Sequence, residues 1–176
     1  ADSLSTLLDF VFIQGNFNTN NQMLFTRSVL SQNPRNRTLT LGRSHWVLRR
    51  VDLQNYNTLV WEMNPQSMAL NAGTSTIEFR NWVGILQTSY TGQGPSLNYN
   101  QIWFLGGDGS IGTYNRNRQS ADSMRCSTSL YLTGRNTIGV LEMLRTNNVI
   151  QPSADDTTTV KEILVPDLCT GMIELR

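Results

Sequence analysis

Short stretches of alternating apolar and polar residues recur along the chain and predict β-strands. The clearest stretch is 76–85, whose apolar residues are spaced to fall on one side of an extended strand: Ile77, Phe79, Val83 and Ile85. Similar stretches, rich in the β-branched and aromatic residues that suit a pleated surface, lie at 8–13, 23–30, 38–41, 46–53, 58–63, 101–105, 129–133, 137–144, 160–165 and 172–175. The sequence therefore predicts an all-β protein.

Clusters of turn-forming residues separate these stretches, for example 33–34, 71–73, 91–95 and 106–109. Glycine provides positive φ and Asn or Asp bonds its own backbone nearby, so each cluster is typical of a tight turn. Strands joined by such turns, with no internal repeat of fixed period, favour one domain over 1–176. We expect a two-sheet antiparallel β-sandwich of the jelly-roll or Greek-key type.

Three segments depart from the strand pattern. Residues 3–9 and 122–126 each suit a single helical turn, and the polar segment 147–159 suits a long exposed loop. The glycine-rich stretch 106–110 lacks the lysine of a phosphate-binding loop, and Asp108 is its only acid, so it indicates a hairpin turn.

The composition restricts the chemistry that this domain can perform. Charged residues make up 15% of the chain, against roughly 25% in an average domain, and Asn, Gln, Ser and Thr supply about a third of it. The single histidine, His45, and two cysteines are too few for a His/Cys zinc site. A net charge of +1 argues against a protein that coats nucleic acid by bulk electrostatics.

No coherent set of catalytic residues stands out. His45, next to Trp46, is best explained as a packed strand residue. Nothing in the sequence distinguishes Glu62 and Glu78, as a glycosidase pair, from any other two carboxylates on strands. We therefore expect no enzymatic activity and no cofactor.

Arginines supply nearly all the positive charge, because Lys161 is the only lysine. Two groups stand near aromatic residues, an arrangement that favours subunit contacts and also suits single-stranded nucleic acid. The candidate interface or nucleic-acid contacts are Arg35, Arg37, Arg49, Arg50, Arg116 and Arg118.

The two cysteines, Cys126 and Cys169, leave two interpretations open. They form a disulfide in an oxidising compartment, or they are two buried thiols that act as small apolar residues. No run of 18 apolar residues is present, so no membrane span is expected. The chain begins with Ala1, which suggests a processed product from which a leader or an N-terminal arm was removed.

Two families resemble the chain in part. Many short strands, Asn- and Thr-rich loops and few lysines resemble the jelly-roll coat proteins of small non-enveloped viruses, although the N-terminus is not basic as those coats often are. The segments 102–109 and 132–135 are similar to the paired C-terminal hairpins of secreted pilin-type subunits. The stretch 15–21 breaks the long N-terminal helix of that second family.

These features lead to one expected function and two alternatives. We expect a structural assembly subunit, a capsid or spike protein that associates into a symmetric homo-oligomer and is located in the virion. The alternatives are a carbohydrate-binding or adhesive module and an extracellular pilin-like filament subunit. Asn-rich loops favour the carbohydrate-binding module, as do aromatic side chains that suit stacking on sugars: Trp46, Trp61, Trp82, Trp103 and the tyrosines.

Overall fold

The protein is all-β over the part described by the computed structural model, which covers residues 3–5, 8–49, 59–80, 83–88, 94–112, 118–145, 149–152, 157–165 and 174–175. The strands there are β1 (Ser3–Ser5), β2 (Phe10–Val11), β3 (Gly15–Asn18), β4 (Met23–Thr26), β5 (Val29–Ser31), β6 (Arg37–Thr40), β7 (His45–Arg49), β8 (Leu59–Met63), β9 (Met68–Asn71), β10 (Thr76–Arg80), β11 (Gly84–Thr88), β12 (Leu97–Leu105), β13 (Gly109–Gly112), β14 (Arg118–Cys126), β15 (Leu130–Thr133), β16 (Arg135–Met143), β17 (Val149–Pro152), β18 (Thr158–Leu164) and β19 (Glu174–Leu175). Within these ranges, no helix has the length and apolar character needed to cross a membrane.

The strands wind into a parallel β-solenoid with two long sheets and a short third one. Sheet A has the order β1-β4-β7-β10-β12-β14-β16-β18, sheet B has the order β19-β17-β15-β13-β11-β8-β5-β2, and sheet C contains β3, β6 and β9. The chain visits sheets B, C and A in turn through β10 and then alternates between sheets B and A. Each strand thus pairs in parallel with its counterpart one coil away, as in β7 with β10.

The predicted antiparallel jelly-roll sandwich is therefore wrong, although the all-β class is confirmed. The reason lies in the turn clusters, which turn the chain through a corner into the next sheet instead of reversing it into a hairpin. At the corner between β3 and β4, Asn20 and Asn21 adopt positive φ values of 53° and 58°. Equivalent corners follow β6 and β9, where Gly42 and Gly73 have φ values of 57° and 58°.

These corners stack directly on one another. The amide of Thr74 donates to the carbonyl of Gly42 at 2.7 Å, and the amide of Arg43 donates to Oδ1 of Asn21 at 2.8 Å. A Cβ atom on Gly73 would lie only 2.3 Å from the Gly42 carbonyl oxygen. Glycine is needed here both for its φ and for the close approach of two backbones.

The core consists of inward side chains that stack in register from coil to coil. One such row runs Leu48, Phe79, Phe104, Cys126 and Met143 across five strands of sheet A. The rings of Phe79 and Phe104 stack with centroids 4.8 Å apart, and Trp46 meets Trp61 of sheet B edge-on at 5.2 Å. All of these residues are buried, so the interior is filled by stacked layers of closely packed side chains.

Four local predictions are corrected by the same coil geometry. The stretch 76–85 is two strands in different sheets, β10 and β11, and the alternation restarts between them, so that Gly84 and Leu86 point inward. Segment 122–126 belongs to strand β14, and 3–5 forms β1 in place of a helical turn. Strands β17 and the start of β18 lie in the predicted loop 147–159.

Sheet C forms a third side of the solenoid. Beyond sheet C, this side continues through the first halves of the long strands β12, β14 and β16. Each long strand bends midway: in β16 both Ile138 and Leu141 are buried, with Gly139 at the bend against the backbone of Asp122. The first half of each strand occupies the place between sheets B and A that sheet C holds earlier in the chain. We call the solvent side of this third side the polar face, and its rows include Asn16, Thr38, Ala69, Asn98, Ser120, Thr137 and Thr159.

Two neighbouring residues of β11 test which side chains point into the core and which point to solvent. Leu86 is fully buried, whereas Ile85 points outward and is partly exposed. We expect Leu86→Ala to lower the free energy of unfolding by about 2–5 kcal/mol, because it leaves a cavity in the core. The matched variant Ile85→Ala should cost less than about 1 kcal/mol. Urea denaturation measures both, and equal losses would contradict this register.

Candidate functional site: the polar face and the charged clusters

The polar face carries a groove of about 630 Å³ over the first halves of β12, β14, β16 and β18. Its lining consists of hydroxyls, amides and two arginines: Ser96, Asn98, Arg118, Gln119, Ser120, Arg135, Asn136, Thr137, Thr157 and Thr159. The row Asn98, Ser120, Thr137 and Thr159 contributes one polar side chain per coil, because these residues are register partners. Strand spacing in a sheet puts successive members of the row about 4.8 Å apart.

Buried amides fix the floor of this groove. The Nε2 group of Gln119 donates to Oδ1 of Asn136 at 3.2 Å. Asn136 in turn donates from Nδ2 to the carbonyl of Thr133 at 2.8 Å and to Oγ1 of Thr158 at 3.0 Å. This inward ladder ties three coils together and holds the outward side chains above it at a fixed spacing.

At the rim, Ser120 donates from Oγ to Oδ1 of Asn98 at 2.8 Å, while Ser96 contacts the same oxygen at 3.3 Å and the carbonyl of Arg118 at 3.3 Å. Asn98, Thr137 and Thr159 are exposed. The groove therefore presents ordered hydroxyl and amide groups to solvent.

A second groove of about 440 Å³ lies further along the polar face, over sheet C. It is lined by Gly15, Asn16, Asn36, Arg37, Thr38, Ser67, Met68, Ala69 and Pro95. Pro95 immediately precedes Ser96 of the first groove, so the two grooves adjoin and follow one side of the solenoid.

Arg37 is a structural cation beneath the second groove and is 2% exposed. Its guanidinium donates to the carbonyls of Ser31, Arg35, Asn64 and Gln66 at 2.7–2.9 Å, and also to Oγ of Ser31 at 2.7 Å. Burial lowers the pKa of Arg37 from its usual range. Arg37 thus joins the turn between β5 and β6 to the turn between β8 and β9, and its guanidinium offers no donor to an external partner.

The other predicted contact arginines lie on different parts of the molecule. Arg35 is exposed and donates to Oε1 of Gln14 at 3.0 Å. The guanidinium of Arg49 stacks 4.4 Å from the ring centroid of Phe25 on the outside of sheet A, and Arg118 is exposed at the groove on the polar face. Arg50 and Arg116 lie outside the described residues. The described members therefore do not form one basic surface, and nucleic-acid binding stays a prediction.

Sequence reasoning missed a cluster around Glu78 on the outside of sheet A. The Glu78 side chain is 1% exposed; its Oε2 lies 2.7 Å from Nε2 of His45, and its Oε1 accepts a 2.5 Å hydrogen bond from Nε of Arg80. Burial opposes ionisation of Glu78, but the bonds from His45 and Arg80 prevail, and the pKa of Glu78 falls below its ordinary value. Glu62 lies on β8 of sheet B and is not part of this cluster.

The cluster continues along the same outward side of sheet A. The ring of His45 meets Trp103 edge-on at 5.5 Å, the guanidinium of Arg125 lies 5.1 Å from the centroid of Trp103, and Arg125 bonds Glu142 at 2.5 Å. Each charged group here contacts an oppositely charged or aromatic neighbour, which is the arrangement of a stabilising surface network. Among the described residues, no group of three His, Cys, Asp or Glu side chains is arranged to hold a metal ion.

The remaining candidates are placed as follows. Cys126 is a free, fully buried thiol whose burial raises its pKa, and its predicted disulfide partner Cys169 lies outside the described residues. Trp46 and Trp61 are core residues, and Trp103 lies half-buried under Arg125. Trp82 lies outside the described residues, so no tryptophan is exposed as a sugar platform in the described part.

Replacement of Arg37 tests its role as a structural cation. We expect Arg37→Met to lower the free energy of unfolding by about 3 kcal/mol, because several buried carbonyls lose their donors. The exposed Arg35→Met is the matched control and should change stability by less than about 0.5 kcal/mol. Chemical denaturation distinguishes the two, and a neutral result for Arg37→Met would contradict the assignment.

The lowered pKa of Glu78 predicts a specific dependence of stability on pH. Its stabilising effect is present above the ordinary glutamate pKa of 4.5 and is lost as the pH falls through the lower pKa of the folded state. The stability difference between wild type and Glu78→Gln should therefore be largest near pH 6 and shrink towards pH 3. Urea titrations across this range measure it. A difference for Glu78→Gln that stays constant from pH 6 to pH 3 would exclude the effect.

Comparison with known proteins gives no relative for this solenoid: its sequence matches no family model and no curated protein, and its fold matches no solved structure.

Proposed function

We propose that this protein is a carbohydrate-binding solenoid module that holds a glycan on its polar face. The observation that carries the proposal is the 630 Å³ groove whose hydroxyls and amides repeat from coil to coil. Its volume falls in the range of small-molecule and cofactor sites, about 300–1,000 Å³. Its lining is polar, which favours a hydrophilic ligand.

The chemistry of the lining matches that of sugar hydroxyls. A hydroxyl or an amide both donates and accepts hydrogen bonds, as do the hydroxyls of a glycan. Asn98, Ser120, Thr137 and Thr159 present such groups from four successive coils, above an amide ladder that keeps them in place. A preorganised row of this kind reduces the entropy lost on binding.

A repeated row also suits a repeated ligand. Solenoids use the extended surfaces formed by stacked coils for binding, and the two adjoining grooves extend such a surface along one side of this molecule. A glycan chain of several sugars can contact equivalent groups on several coils at once. The expected aromatic platforms are not needed for this mode of binding.

The coat-subunit hypothesis receives less support. Its architectural basis was an antiparallel jelly roll, whereas the strands of this chain pair in parallel along all three sheets. Association into a homo-oligomer, in a virion or outside the cell, stays a prediction.

Glycan binding is tested with immobilised polysaccharides of varied composition, followed by calorimetry with those that bind. We expect the double variant Thr137→Val, Thr159→Val to bind the glycan about tenfold more weakly, because two hydroxyls are lost at nearly constant side-chain volume.

The matched control is Ser110→Val on the outward side of sheet B, which removes a partly exposed hydroxyl away from the groove. This variant should bind as wild type does. The proposal is wrong if no polysaccharide binds, or if the groove variant and the control bind equally well.

A further inference from the structure

The polar face is longer across its strands than along them. It extends over seven coils, from β3, β6 and β9 to the first halves of β12, β14 and β16 and to β18. Seven strands at a spacing of about 4.8 Å cover about 29 Å, whereas the four residues of one sheet C strand cover only about 13 Å. An elongated ligand therefore makes the most contacts when it lies along the solenoid axis.

The two grooves of this face meet between β9 and β12. Gly94 packs directly on the turn before β9, where a Cβ atom would lie 2.4 Å from the carbonyl carbon of Pro65. The next residue, Pro95, lines the second groove together with Ala69, and Ser96 lines the first groove. The close backbone contact at Gly94 thus fixes the two grooves relative to one another, so that one ligand can contact both.

The second groove differs from the first in its chemistry. Ala69 and Pro95 present exposed carbon surface there, next to the exposed amides of Asn16 and Asn36. The charged side chain in its described lining is Arg37, whose guanidinium donates within the protein. A sugar ring has CH faces that pack on carbon surface and hydroxyls at its edge that bond to amides. The second groove therefore suits the face of a sugar ring, and the first groove suits its hydroxyls.

We propose that the polar face holds a linear, extended β-linked glycan along the solenoid axis, with its hydroxyls on the row from Asn98 to Thr159 and the faces of its remaining sugars on Ala69 and Pro95. This inference rests on the proposed glycan binding and adds the shape and the direction of the ligand. Each sugar of an extended chain of the cellulose type advances the polymer by a distance close to the coil spacing of about 4.8 Å. A coiled α-linked chain, such as amylose, does not match a straight row in this way.

A glycan that ran parallel to the strands would leave the face at the bend. In β16 the bend lies at Gly139, only two residues beyond Thr137, and the strand then continues in sheet A. Such a ligand would contact few coils, and its affinity would not increase beyond a few sugars. An axial chain, in contrast, adds contacts with each further sugar until the seven coils are covered.

Single-stranded nucleic acid is the other linear polymer to consider, and these grooves favour it less. It binds through aromatic side chains that stack on the bases, together with a basic channel. The described lining of the two grooves contains no aromatic residue, and the donors of Arg37 in the second groove bond within the protein. Hydroxyls and amides dominate, which suits sugars better than bases.

The test measures binding of oligosaccharides of increasing length to the intact chain by calorimetry. Cello-, manno- and xylo-oligosaccharides are the extended β-linked probes, maltooligosaccharides are the α-linked comparison, and oligo-deoxythymidylate is the nucleic acid. We expect at least one extended series to bind, with affinity that rises from the disaccharide to the heptasaccharide. Maltooligosaccharides should bind more weakly and without this increase.

Ala69→Glu tests whether one chain spans both grooves. It replaces exposed carbon surface in the second groove by a longer, charged side chain. Binding of the heptasaccharide should therefore weaken about tenfold and approach that of the tetrasaccharide, which the four coils of the first groove still hold. Retained binding of the tetrasaccharide also shows that the variant folds.

The matched control is Ser110→Glu, which adds the same charge on the outward side of sheet B. It should bind every probe as wild type does. The conservative variant Ala69→Ser keeps the side chain small and should also bind the heptasaccharide as wild type does.

The outcomes separate this inference from the proposed function. An affinity that does not increase beyond the tetrasaccharide, or equal binding of the heptasaccharide by Ala69→Glu and Ser110→Glu, overturns the axial chain and leaves glycan binding in place. Binding of maltooligosaccharides or of other polysaccharides, but of none of the extended series, overturns the extended ligand alone. Binding of oligo-deoxythymidylate that is tighter than that of every oligosaccharide overturns both proposals, as does the absence of any binding to a glycan.

Discussion

In-register stacking of parallel coils is the constraint on which the rest of this structure depends. Each inward residue lies directly on the equivalent residue of the next coil, as Phe79 lies on Phe104 and Trp46 aligns with Ile77. A side chain of the wrong size therefore disturbs two neighbouring coils as well as its own. Even the corners obey this rule, since the backbone at Gly73 approaches Gly42 too closely for any larger residue.

The same constraint shapes the outer surface. When the middle residue of a three-residue segment packs inward, its two neighbours must point outward. On the third side this produces polar triplets with an apolar centre, such as 16–18, 38–40 and 98–100, which read Asn-Phe-Asn, Thr-Leu-Thr and Asn-Tyr-Asn. The stacking that turns Phe17 and Leu39 towards the core thus arranges the neighbouring amides and hydroxyls in rows on the outer surface. Core packing and the candidate binding surface have one origin.

The sequence predicted the strands far better than their arrangement. Alternation identified most strands of sheets A and B, because one side of each faces the core and the other faces solvent. Parallel stacking was hidden because the coils differ in length: partners Met23 and His45 are 22 residues apart, His45 and Thr76 are 31 apart, and Ser123 and Val140 only 17. No fixed period results. The corner residues Asn20, Gly42 and Gly73 have the composition of hairpin turns, so their role could not be distinguished.

The candidate site was predictable only in part. Arg118 was identified, but Arg37 was grouped with the surface arginines because nothing in its sequence neighbourhood shows that four carbonyls converge on it. The triplets were the available signal for the polar face. They are short, and their polar residues also suit loops, so their significance depends on knowing that they stack.

Parallel stacking also suits a chain with few charged residues. Where the same charge recurs at one register position, like charges lie side by side and repel each other, whereas opposite charges such as Arg125 and Glu142 attract each other. Amides and hydroxyls can repeat without that cost, and they bond along the row as Gln119 and Asn136 do. Where arginines do align, as Arg49 with Arg80, other groups compensate: Phe25 contacts Arg49 and the buried carboxylate of Glu78 binds Arg80. Arg118 and Arg135 are also register partners, and they lie at one end of the row of hydroxyls and amides that the polar face presents in place of charges.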